Sequence, residues 1–323
     1  VVFRQALKAQ GLNAPFRPIH TSPPRSRRRA TFSVRRTKKG AMAGFHARAS
    51  DVIVQIPNCQ LVRPELMTAL PVAEAMAQIA GSRKGELNVT ATTSSAGLDV
   101  SVTGGKSLDG QLRADLAPLV NRFHLSRLTW NGDVLGMEQP PAQPFGKAMV
   151  TPPAGSFLQA THEGETILVD AVREAVLGAG HVIDLFAGCG TFSLPLAENA
   201  EVHAVESETE MLRALDHGWR NAQGLKKVTT EVRDLFRNPL LPEELNRFEA
   251  IVLDPPRAGA EAQCQEIARS KVRTVAYVSC NPSTFARDAA QLVQAGYEIV
   301  WVQAVDQFRW SAHVELAALF VRN

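Results

Sequence analysis

From residue 160 onward, short apolar runs alternate with helical segments, and this alternation constrains the fold more than any other feature of the sequence. The runs are HVIDLF (181–186), EVHAVE (201–206), VTTEVRD (228–234), EAIVLDPP (249–256), VRTVAYVSC (272–280), YEIVWVQAV (297–305) and HVELAALFV (313–321). Apolar runs separated by helices predict a parallel sheet that is covered on both faces. The last two runs are joined by a short non-helical link, whereas parallel strands need a crossover of about a dozen residues. We therefore predict an α/β, Rossmann-like fold of seven strands that finishes in an antiparallel hairpin at one edge.

The first half of the chain shows a different pattern of apolar runs and turns, which predicts a smaller α+β domain. Hairpins are indicated at three places, namely 30–56, 86–105 and the turn Asn131-Gly132. The stretch 138–154 is rich in proline and indicates a boundary, and TSPPRSRRR (21–29) indicates a basic linker. We therefore predict one domain at 1–150 and a second at 151–323, with part of 1–57 free to pack on the latter.

The charge of the chain is unevenly distributed. The formal net charge is +3, yet residues 1–50 contain 12 Lys or Arg and no Asp or Glu, while the remainder carries 23 basic against 32 acidic residues. Such a basic block favours a polyanionic partner, nucleic acid before others. The alternative is a transit peptide, which is also rich in Arg and poor in acids.

Cysteine usage and hydropathy restrict the class of protein further. The four cysteines, Cys59, Cys189, Cys264 and Cys280, are widely spaced and show no CxxC pairing, which argues against a disulfide framework or a zinc ribbon. No apolar run approaches the roughly 18 residues that a membrane span needs. We expect a cytoplasmic protein that needs neither a membrane nor an obligate protein partner.

The predicted strand ends carry an acidic cofactor site. In open α/β sheets, ligands bind at the carboxyl ends of the strands. Here the first strand leads into the turn Gly188-Cys-Gly190, and the next ones end at Glu206, Asp234 and Asp254. This set of carboxylates would repel a pyrophosphate, but it suits a sulfonium and an α-ammonium group. The pattern therefore favours S-adenosylmethionine over a dinucleotide, and a class I S-adenosylmethionine-dependent methyltransferase fold.

Cys280 is the candidate nucleophile. It ends a predicted strand, and Pro282 suits the first turn of the following helix, whose dipole is expected to lower the pKa of the thiol. A thiolate that adds to carbon 6 of uracil makes carbon 5 nucleophilic enough to accept a methyl group. A cytosine-5 enzyme is disfavoured because Arg257, and not a cysteine, follows Pro255-Pro256. The alternative for Cys280 is a buried core cysteine.

A base must remove the proton from carbon 5, and Glu315 is the candidate. It is predicted to start the final edge strand, after a loop at 306–312 that overhangs the pocket. Taken alone, Glu315 would be read as a solvated edge charge. His313 either orients a carboxylate or lies on the surface, and Arg257 either contacts the base or a phosphate or forms a surface ion pair.

At these residues the sequence resembles the RNA uracil-5 methyltransferase family (the RumA/RlmD, RlmC and TrmA group). The resemblance runs from about Pro23 to the C-terminus and rests on GSFLQ (155–159), DLFAGCGTFSLPLA (184–197), LDPPRAG (253–259), VSCNP (278–282) and HVE (313–315). It implies that Cys280 is the nucleophile and Glu315 the base. It also implies cofactor contacts, namely Gln159, Phe186, Gly188, Thr191, Glu206, Asp234 and Asp254. Arg257 and His313, from their position near the pocket, are the candidate substrate contacts.

The sequence departs from the family pattern at two places. The family commonly has Phe-Pro in the closing loop, where this chain has Phe308-Arg309. Cys59 resembles the last ligand of a 4Fe-4S cluster, but three clustered cysteines before it and an RNA-binding barrel are not in this sequence, and one thiol cannot hold a cluster. We expect an N-terminally truncated, bacterial 23S rRNA-type member, with a cluster only if a longer chain supplies the other cysteines. A tRNA enzyme and a non-catalytic RNA-binding protein of the same fold are the alternatives.

Overall fold

The computed structural model describes residues 2–311 and 313–323. In chain order its elements are α1 (Val2–Ala9), β1 (His20–Thr21), β2 (Arg29–Thr37), β3 (Gly40–His46), β4 (Ile53–Val54), α2 (Pro64–Met67), α3 (Ala69–Ala80), β5 (Leu87–Ser94), β6 (Gly97–Thr103), α4 (Gly110–Leu116), α5 (Pro118–Arg122), β7 (Leu125–Trp130), β8 (Asp133–Met137), β9 (Gln143–Phe145), β10 (Ala148–Val150), α6 (His162–Ala175), β11 (His181–Leu185), α7 (Ser193–Leu196), β12 (Glu201–Glu206), α8 (Thr209–Asn221), β13 (Val228–Val232), α9 (Pro242–Leu245), β14 (Ala250–Leu253), α10 (Glu261–Arg269), β15 (Thr274–Ser279), α11 (Pro282–Gln294), β16 (Glu298–Asp306) and β17 (Glu315–Val321). None of the described helices combines the length and apolar character needed to cross a bilayer.

The chain divides into two compact units. The larger unit comprises Val1–Ser22, Pro144–Val150 and Glu163–Asn323, and the smaller comprises Pro23–Gln143 and Thr151–His162. The domain boundary predicted between residues 150 and 151 is one of the points at which the chain passes from one unit to the other. Residues up to Ser22 count with the larger unit, and the segment after Val150 returns to the smaller one before α6 begins.

The larger unit is built on an eight-stranded sheet of order β1-β16-β17-β15-β14-β11-β12-β13. The strands from β15 to β13 are parallel, and β17 runs antiparallel to both of its neighbours. All four residues of β14 are buried, as is typical of a parallel strand covered on both faces. The aromatic ring of Phe285 on α11 packs edge-on against Tyr277 of β15 and Phe3 of α1, which fastens α11 to the sheet.

The predicted antiparallel hairpin is present, but its strand order corrects the prediction. β17 lies between β15 and β16 and is therefore an interior strand, not the edge strand that we expected. The two-residue strand β1 adds to β16 in parallel and forms the edge. Sequence order does not reveal this insertion, because β17 follows β16 along the chain and pairs with β15 only through the tertiary fold.

The smaller unit contains a seven-stranded sheet of order β4-β3-β2-β5-β6-β7-β8. The three predicted hairpins correspond to the antiparallel pairs β2–β3, β5–β6 and β7–β8. The helix α3, which the sequence analysis did not predict, supplies Val72 and Met76 to the core of this unit. Its apolar residues are spread around much of the helix surface, so the one-sided pattern of an amphipathic helix is weak.

The segment predicted as a basic linker is part of the folded smaller unit. Arg28 is buried and donates from Nε to the carbonyl oxygen of Gln159 at 3.0 Å. Arg29 begins β2, and its Nη2 donates to the carbonyl oxygen of Gly155 at 3.0 Å. Burial lowers the pKa of both Arg27 and Arg29. These three arginines therefore belong to the folded smaller unit, and the expectation of a basic linker at 21–29 is wrong for them.

A buried ion pair joins two parallel strands of the smaller unit. Asp99 of β6 and Arg127 of β7 are partners in the strand register. Arg127 donates from Nε and Nη2 to the two carboxylate oxygens of Asp99 at 2.9 and 2.6 Å, and from Nη2 to the carbonyl oxygen of Pro152 at 2.9 Å. Removing one partner of a buried pair leaves an uncompensated charge, which costs more than removing both.

We therefore predict that Arg127→Met lowers the free energy of unfolding of the smaller unit by about 3 kcal/mol. The double variant Asp99→Leu/Arg127→Met is expected to regain most of that loss. Urea unfolding followed by circular dichroism measures both variants against the parent chain. A single variant as stable as the parent chain would contradict the assignment of a buried pair.

Candidate active site

The candidate site lies at the carboxyl ends of the parallel strands of the larger unit. β11 sits between β14 and β12, and the chain proceeds from β11 to β12 on one side and later to β14 on the other. A crevice forms where the strand order reverses in this way, and ligands of open α/β sheets bind there. The register aligns Leu185 of β11 with Val205 and Leu253, so the residues that follow these three strands meet at the crevice.

A tight turn after β11 forms one wall of the crevice. Phe186 has a φ of 65°, a left-handed conformation that is rare for an aromatic residue, and Gly188 and Gly190 have φ values of 55° and 93°. The amide of Gly188 donates to the Glu206 carboxylate at 3.0 Å. A side chain at Gly190 would collide with Leu215, so this glycine is required by close packing. Thr191 follows the turn and is half-buried.

Glu206 and Asp234 extend the acidic rim beyond this turn. One oxygen of Glu206 accepts three hydrogen bonds from Ser207 and Glu208, while the other takes the Gly188 amide and retains a lone pair for a ligand hydroxyl. Asp234 lies two residues beyond β13 and accepts the amides of Phe236 and Arg237. The half-exposed ring of Phe236 lies 5.4 Å from that of Phe186.

Two carboxyl groups at the centre of the crevice have raised pKa values. Burial raises the pKa of Asp184 to about 7, although a 2.5 Å hydrogen bond from the Ser193 hydroxyl opposes this shift. The other oxygen of Asp184 is buried without a hydrogen-bond partner. Burial and the negative charge of Asp184 likewise raise the pKa of Asp254 to about 7. A cationic ligand would relieve this crowding of negative charge.

The start of α11 holds the loop that follows β14. Asn281 caps the helix by accepting the Ser283 amide, and its side-chain amide donates to the carbonyl oxygen of Arg257 at 2.8 Å. The buried Asp288 accepts the Ala260 amide at 2.7 Å. A Cβ atom on Gly259 would lie within 2.8 Å of three α11 side chains. The loop that carries Asp254 and the segment that carries Cys280 are therefore fixed to each other.

Strand pairing brings Cys280 and Glu315 together. β15 and β17 are antiparallel, with Val278 opposite Ala317 and Ser279 opposite Leu316. The next position in this register sets Cys280 across from Glu315. Both groups affect each other electrostatically, since the Glu315 carboxylate raises the pKa of the Cys280 thiol. The predicted nucleophile and the predicted base thus occupy the same end of two neighbouring strands.

The predicted lowering of the Cys280 pKa is wrong. Burial raises the pKa of the thiol, and the carboxylates of Glu315 and Asp254 raise it further, whereas the Arg257 guanidinium lowers it. Cys280 stands before the N-cap of α11, so the helix dipole is outweighed by partial burial and two nearby carboxylates. The thiol is therefore harder to ionise than that of an ordinary cysteine.

Glu315 is buried, not solvated. Burial and the negative charge of Asp254 raise its pKa to about 8, and a hydrogen bond from Gln307 opposes the increase. The side-chain amide of Gln307 donates to Glu315 Oε2 at 2.6 Å. The interior position of β17 keeps Glu315 away from the edge of the sheet, and the Gln307 side chain lies against its carboxylate.

Arg257 and His313 meet at the exposed mouth of the site. Arg257 Nη2 lies 3.4 Å from His313 Nδ1, and the His313 ring contacts Phe308 edge-on at 6.0 Å between centroids. Neither of the two alternatives for Arg257 in the sequence analysis included this contact. Ala312, the last residue of the predicted overhanging loop, lies outside the described residues.

Two predicted site residues belong to the smaller unit. Gln159 is buried there, with its carbonyl oxygen bonded to Arg28. The thiol of Cys59 accepts the Leu61 amide at 3.4 Å. Across residues 2–311 and 313–323, no group of three His, Cys, Asp or Glu side chains is arranged to hold a metal ion. The residues described here therefore do not fit an iron–sulfur cluster.

Sequence reasoning did not identify Gln307, Phe236 or Asn281 as site residues. Gln307 and Phe236 lie in loops, where no periodicity indicates the direction of a side chain. Asn281 could have been found, because Asn followed by Pro at a strand end is a helix N-cap signal.

Comparisons with known proteins indicate the family of the chain. A family model described as tRNA (Uracil-5-)-methyltransferase matches residues 151–323. An uncharacterized RNA methyltransferase of Brucella suis biovar 1 is 42% identical over 318 residues, which cover 98% of this chain and 77% of that protein. The 23S rRNA (uracil(1939)-C(5))-methyltransferase RlmD of Chromohalobacter salexigens is 32% identical over 323 residues, which cover 92% of this chain and 65% of that protein.

A solved structure confirms the predicted fold class. The Pyrococcus abyssi tRNA (uracil-54, C5)-methyltransferase, in complex with S-adenosyl-L-homocysteine, matches with a TM-score of 0.76 over 99% of this chain and 82% of that chain, at 24% identity. The fold is therefore that of a class I methyltransferase with an additional α+β unit. Since the family model covers more than half of the chain and a relative at 42% identity spans nearly all of it, the chain belongs to the family of S-adenosylmethionine-dependent RNA uracil-5 methyltransferases.

Proposed function

We propose that this enzyme methylates carbon 5 of a uracil in 23S ribosomal RNA, through a transient covalent bond between Cys280 and carbon 6 of the base. The observation that carries the covalent mechanism is the strand register that sets Cys280 across from Glu315, at the end of the sheet where Asp254 also lies. A nucleophile and a base on adjacent strand ends are what the two halves of the reaction require.

The first half of the reaction belongs to Cys280. Its thiolate adds to carbon 6 of the uracil, and the electron pair of the C5–C6 double bond moves toward the carbonyl at carbon 4. Carbon 5 thereby becomes nucleophilic. S-adenosylmethionine supplies the electrophilic methyl group that carbon 5 accepts, and the residues proposed to hold it are Gln159, Phe186, Gly188, Thr191, Glu206, Asp234 and Asp254.

The chemistry of the crevice fits that cofactor. Glu206 keeps an acceptor for a ribose hydroxyl, and the rings of Phe186 and Phe236 offer apolar faces beside Asp234. Asp184 and Asp254 place negative charge where a cation is favoured. A bound cation would lower the pKa of both carboxyl groups and of the neighbouring thiol.

The second half of the reaction belongs to Glu315. Its carboxylate removes the proton from carbon 5, the double bond between carbons 5 and 6 re-forms, and the bond between carbon 6 and the sulfur breaks. Cys280 leaves as a thiolate, so the protein returns to its starting state once Glu315 releases the proton. Arg257 and His313, at the mouth of the site, are proposed to contact the RNA.

The basic N-terminal region is proposed to hold the RNA backbone. Of its twelve Lys and Arg residues, seven are exposed and one, Arg28, is buried; the exposed ones are Arg4, Lys8, Arg25, Arg36, Lys38, Lys39 and Arg48. Phosphate contacts of this kind are independent of sequence and weaken as salt rises. The target uracil must leave its stack to reach both the thiol and the methyl donor.

Ribosomal RNA is favoured over transfer RNA by two observations. RlmD, a relative named for 23S rRNA, is 32% identical along 92% of this chain. Cys59 also resembles a cluster ligand of the ribosomal type, although a 4Fe-4S cluster is proposed only for a longer chain that supplies further cysteines. The runner-up, a tRNA substrate, is favoured by the description of the matching family model.

The first prediction concerns the covalent adduct. Glu315→Gln is expected to accumulate an RNA–protein adduct, because addition and methyl transfer proceed while release is blocked. Cys280→Ala is expected to abolish the adduct and to reduce methylation at least about a thousandfold. Denaturing gel electrophoresis of the enzyme with radiolabelled RNA and S-adenosylmethionine measures the adduct directly.

The double variant Cys280→Ala/Glu315→Gln is the control, since it must form no adduct. Normal turnover by Glu315→Gln would remove Glu315 from the role of base. Full biological function of Cys280→Ala would favour a non-catalytic RNA-binding protein.

The second prediction concerns pH. The reaction needs Cys280 and Glu315 in their charged forms, yet burial and Asp254 raise the pKa of Glu315 to about 8, and burial, Glu315 and Asp254 raise that of Cys280 above its ordinary value. Methyl transfer uses the charged form of Cys280 and release uses that of Glu315, so in a single turnover each step should accelerate about tenfold per pH unit, and release should level off above about pH 8. Rapid-quench measurements with saturating RNA and S-adenosylmethionine test this. A rate that declines over the same range would exclude this assignment of charges.

The third prediction concerns the RNA. Cells that lack the gene should lose one 5-methyluridine from 23S rRNA, and the wild-type gene should restore it, whereas Cys280→Ala should not. Mass mapping of nuclease fragments of rRNA and tRNA locates the change. Loss of the modification from tRNA alone would favour the runner-up.

A further inference from the structure

We propose that Gln307 is a positioning residue for the base: its side-chain amide fixes the Glu315 carboxylate and favours its charged form. This inference rests on the proposed function, because it assigns a partner to the proposed base. Gly164 supports this arrangement, because its lack of a side chain leaves the space that the Gln307 side chain occupies.

The hydrogen bond between the two side chains is short and shielded from water. Gln307 Nε2 donates to Glu315 Oε2 at 2.6 Å, and the two residues are 3% and 4% exposed. A hydrogen bond to a charged group is stronger than one between neutral groups, and shielding from solvent strengthens it further. Because Gln307 binds Oε2, Oε1 is the oxygen proposed to accept the substrate proton.

The hydrogen bond also acts on the protonation state of Glu315. Burial and Asp254 both favour the neutral acid, which cannot remove a proton. The Gln307 amide is the group that opposes them, because a donated hydrogen bond stabilises the carboxylate. Without Gln307, a smaller fraction of the enzyme would carry an active base at neutral pH.

Gly164 explains how Gln307 reaches Glu315. Gly164 lies in the first turn of α6, and a Cβ atom there would come within 2.4 Å of Gln307 Cγ and 2.5 Å of Cδ. Alanine is the more favourable residue in a helix, so helix stability does not account for glycine at this position. The close approach of Gln307 does account for it.

The main test is Gln307→Met, which keeps an unbranched side chain of similar length and removes the donor. Release of the methylated RNA in a single turnover should slow at least about tenfold near neutral pH, because a hydrogen bond to a charged group is lost. The pH at which the rate reaches half of its plateau should rise, the adduct should accumulate, and KM for RNA should stay unchanged. Rapid quench over a pH series, with adduct measured on denaturing gels, provides these readouts.

Gln303→Met is the matched control. Gln303 lies four residues earlier on the same segment, and its amide donates to the carbonyl oxygens of Pro18 and Ala304, away from Glu315. This variant should retain the rate and the pH profile of the parent enzyme.

Gly164→Ala provides a second, independent test that keeps the Gln307 amide but displaces it. It should reproduce the shift of the pH profile, although the Gln307 amide itself is retained. A parent-like pH profile in either variant would overturn the role of Gln307. If Glu315→Gln traps the adduct while Gln307→Met behaves like the parent enzyme, this inference alone fails. If Glu315→Gln traps nothing, the proposed base fails first.

Discussion

The antiparallel pairing of β15 with β17 is the constraint on which the rest of the site depends. It aligns the end of one strand with the beginning of the other, and so sets Cys280 across from Glu315. Strand pairing fixes position through several backbone hydrogen bonds at once, which holds side chains more precisely than a loop can. The same pairing makes β17 an interior strand, and this interior position keeps the buried Glu315 away from the edge of the sheet.

Burial then determines the electrostatics of the site. Asp184, Asp254 and Glu315 all have raised pKa values. Asp184 raises the pKa of Asp254, Asp254 raises that of Glu315, and both Asp254 and Glu315 raise that of the Cys280 thiol. A cluster of buried carboxyl groups stabilises the folded protein less than neutral side chains would, and such clusters are common at active sites. Its mutual repulsion is relieved by a cation, which matches the family's use of a sulfonium methyl donor.

Hydrogen bonds from outside the cluster keep these groups in place. α11 binds the loop after β14 through Asn281 and Asp288, so hydrogen bonds hold the Asp254 loop against the Cys280 segment. Gln307 does the same for Glu315 from the segment between β16 and β17, in the space that Gly164 leaves on α6. The reacting groups are therefore supported from three different elements of the larger unit.

The sequence by itself determined the α/β alternation, the hairpins of the smaller unit and the turn at Gly188, and it identified Cys280 and Glu315 as candidates. These features depend on local patterns of apolar residues, glycines and motif residues. Sequence reasoning failed where the answer depends on residues distant along the chain. Only the tertiary structure decided that β17 is inserted beside β15, that Arg27 to Arg29 belong to the folded smaller unit, and that Gln307 bonds to Glu315. The expected lowering of the Cys280 pKa failed for the same reason. A helix dipole can be inferred from neighbouring residues, whereas burial and the charges of Asp254 and Glu315 act on the thiol only after distant strands have been brought together.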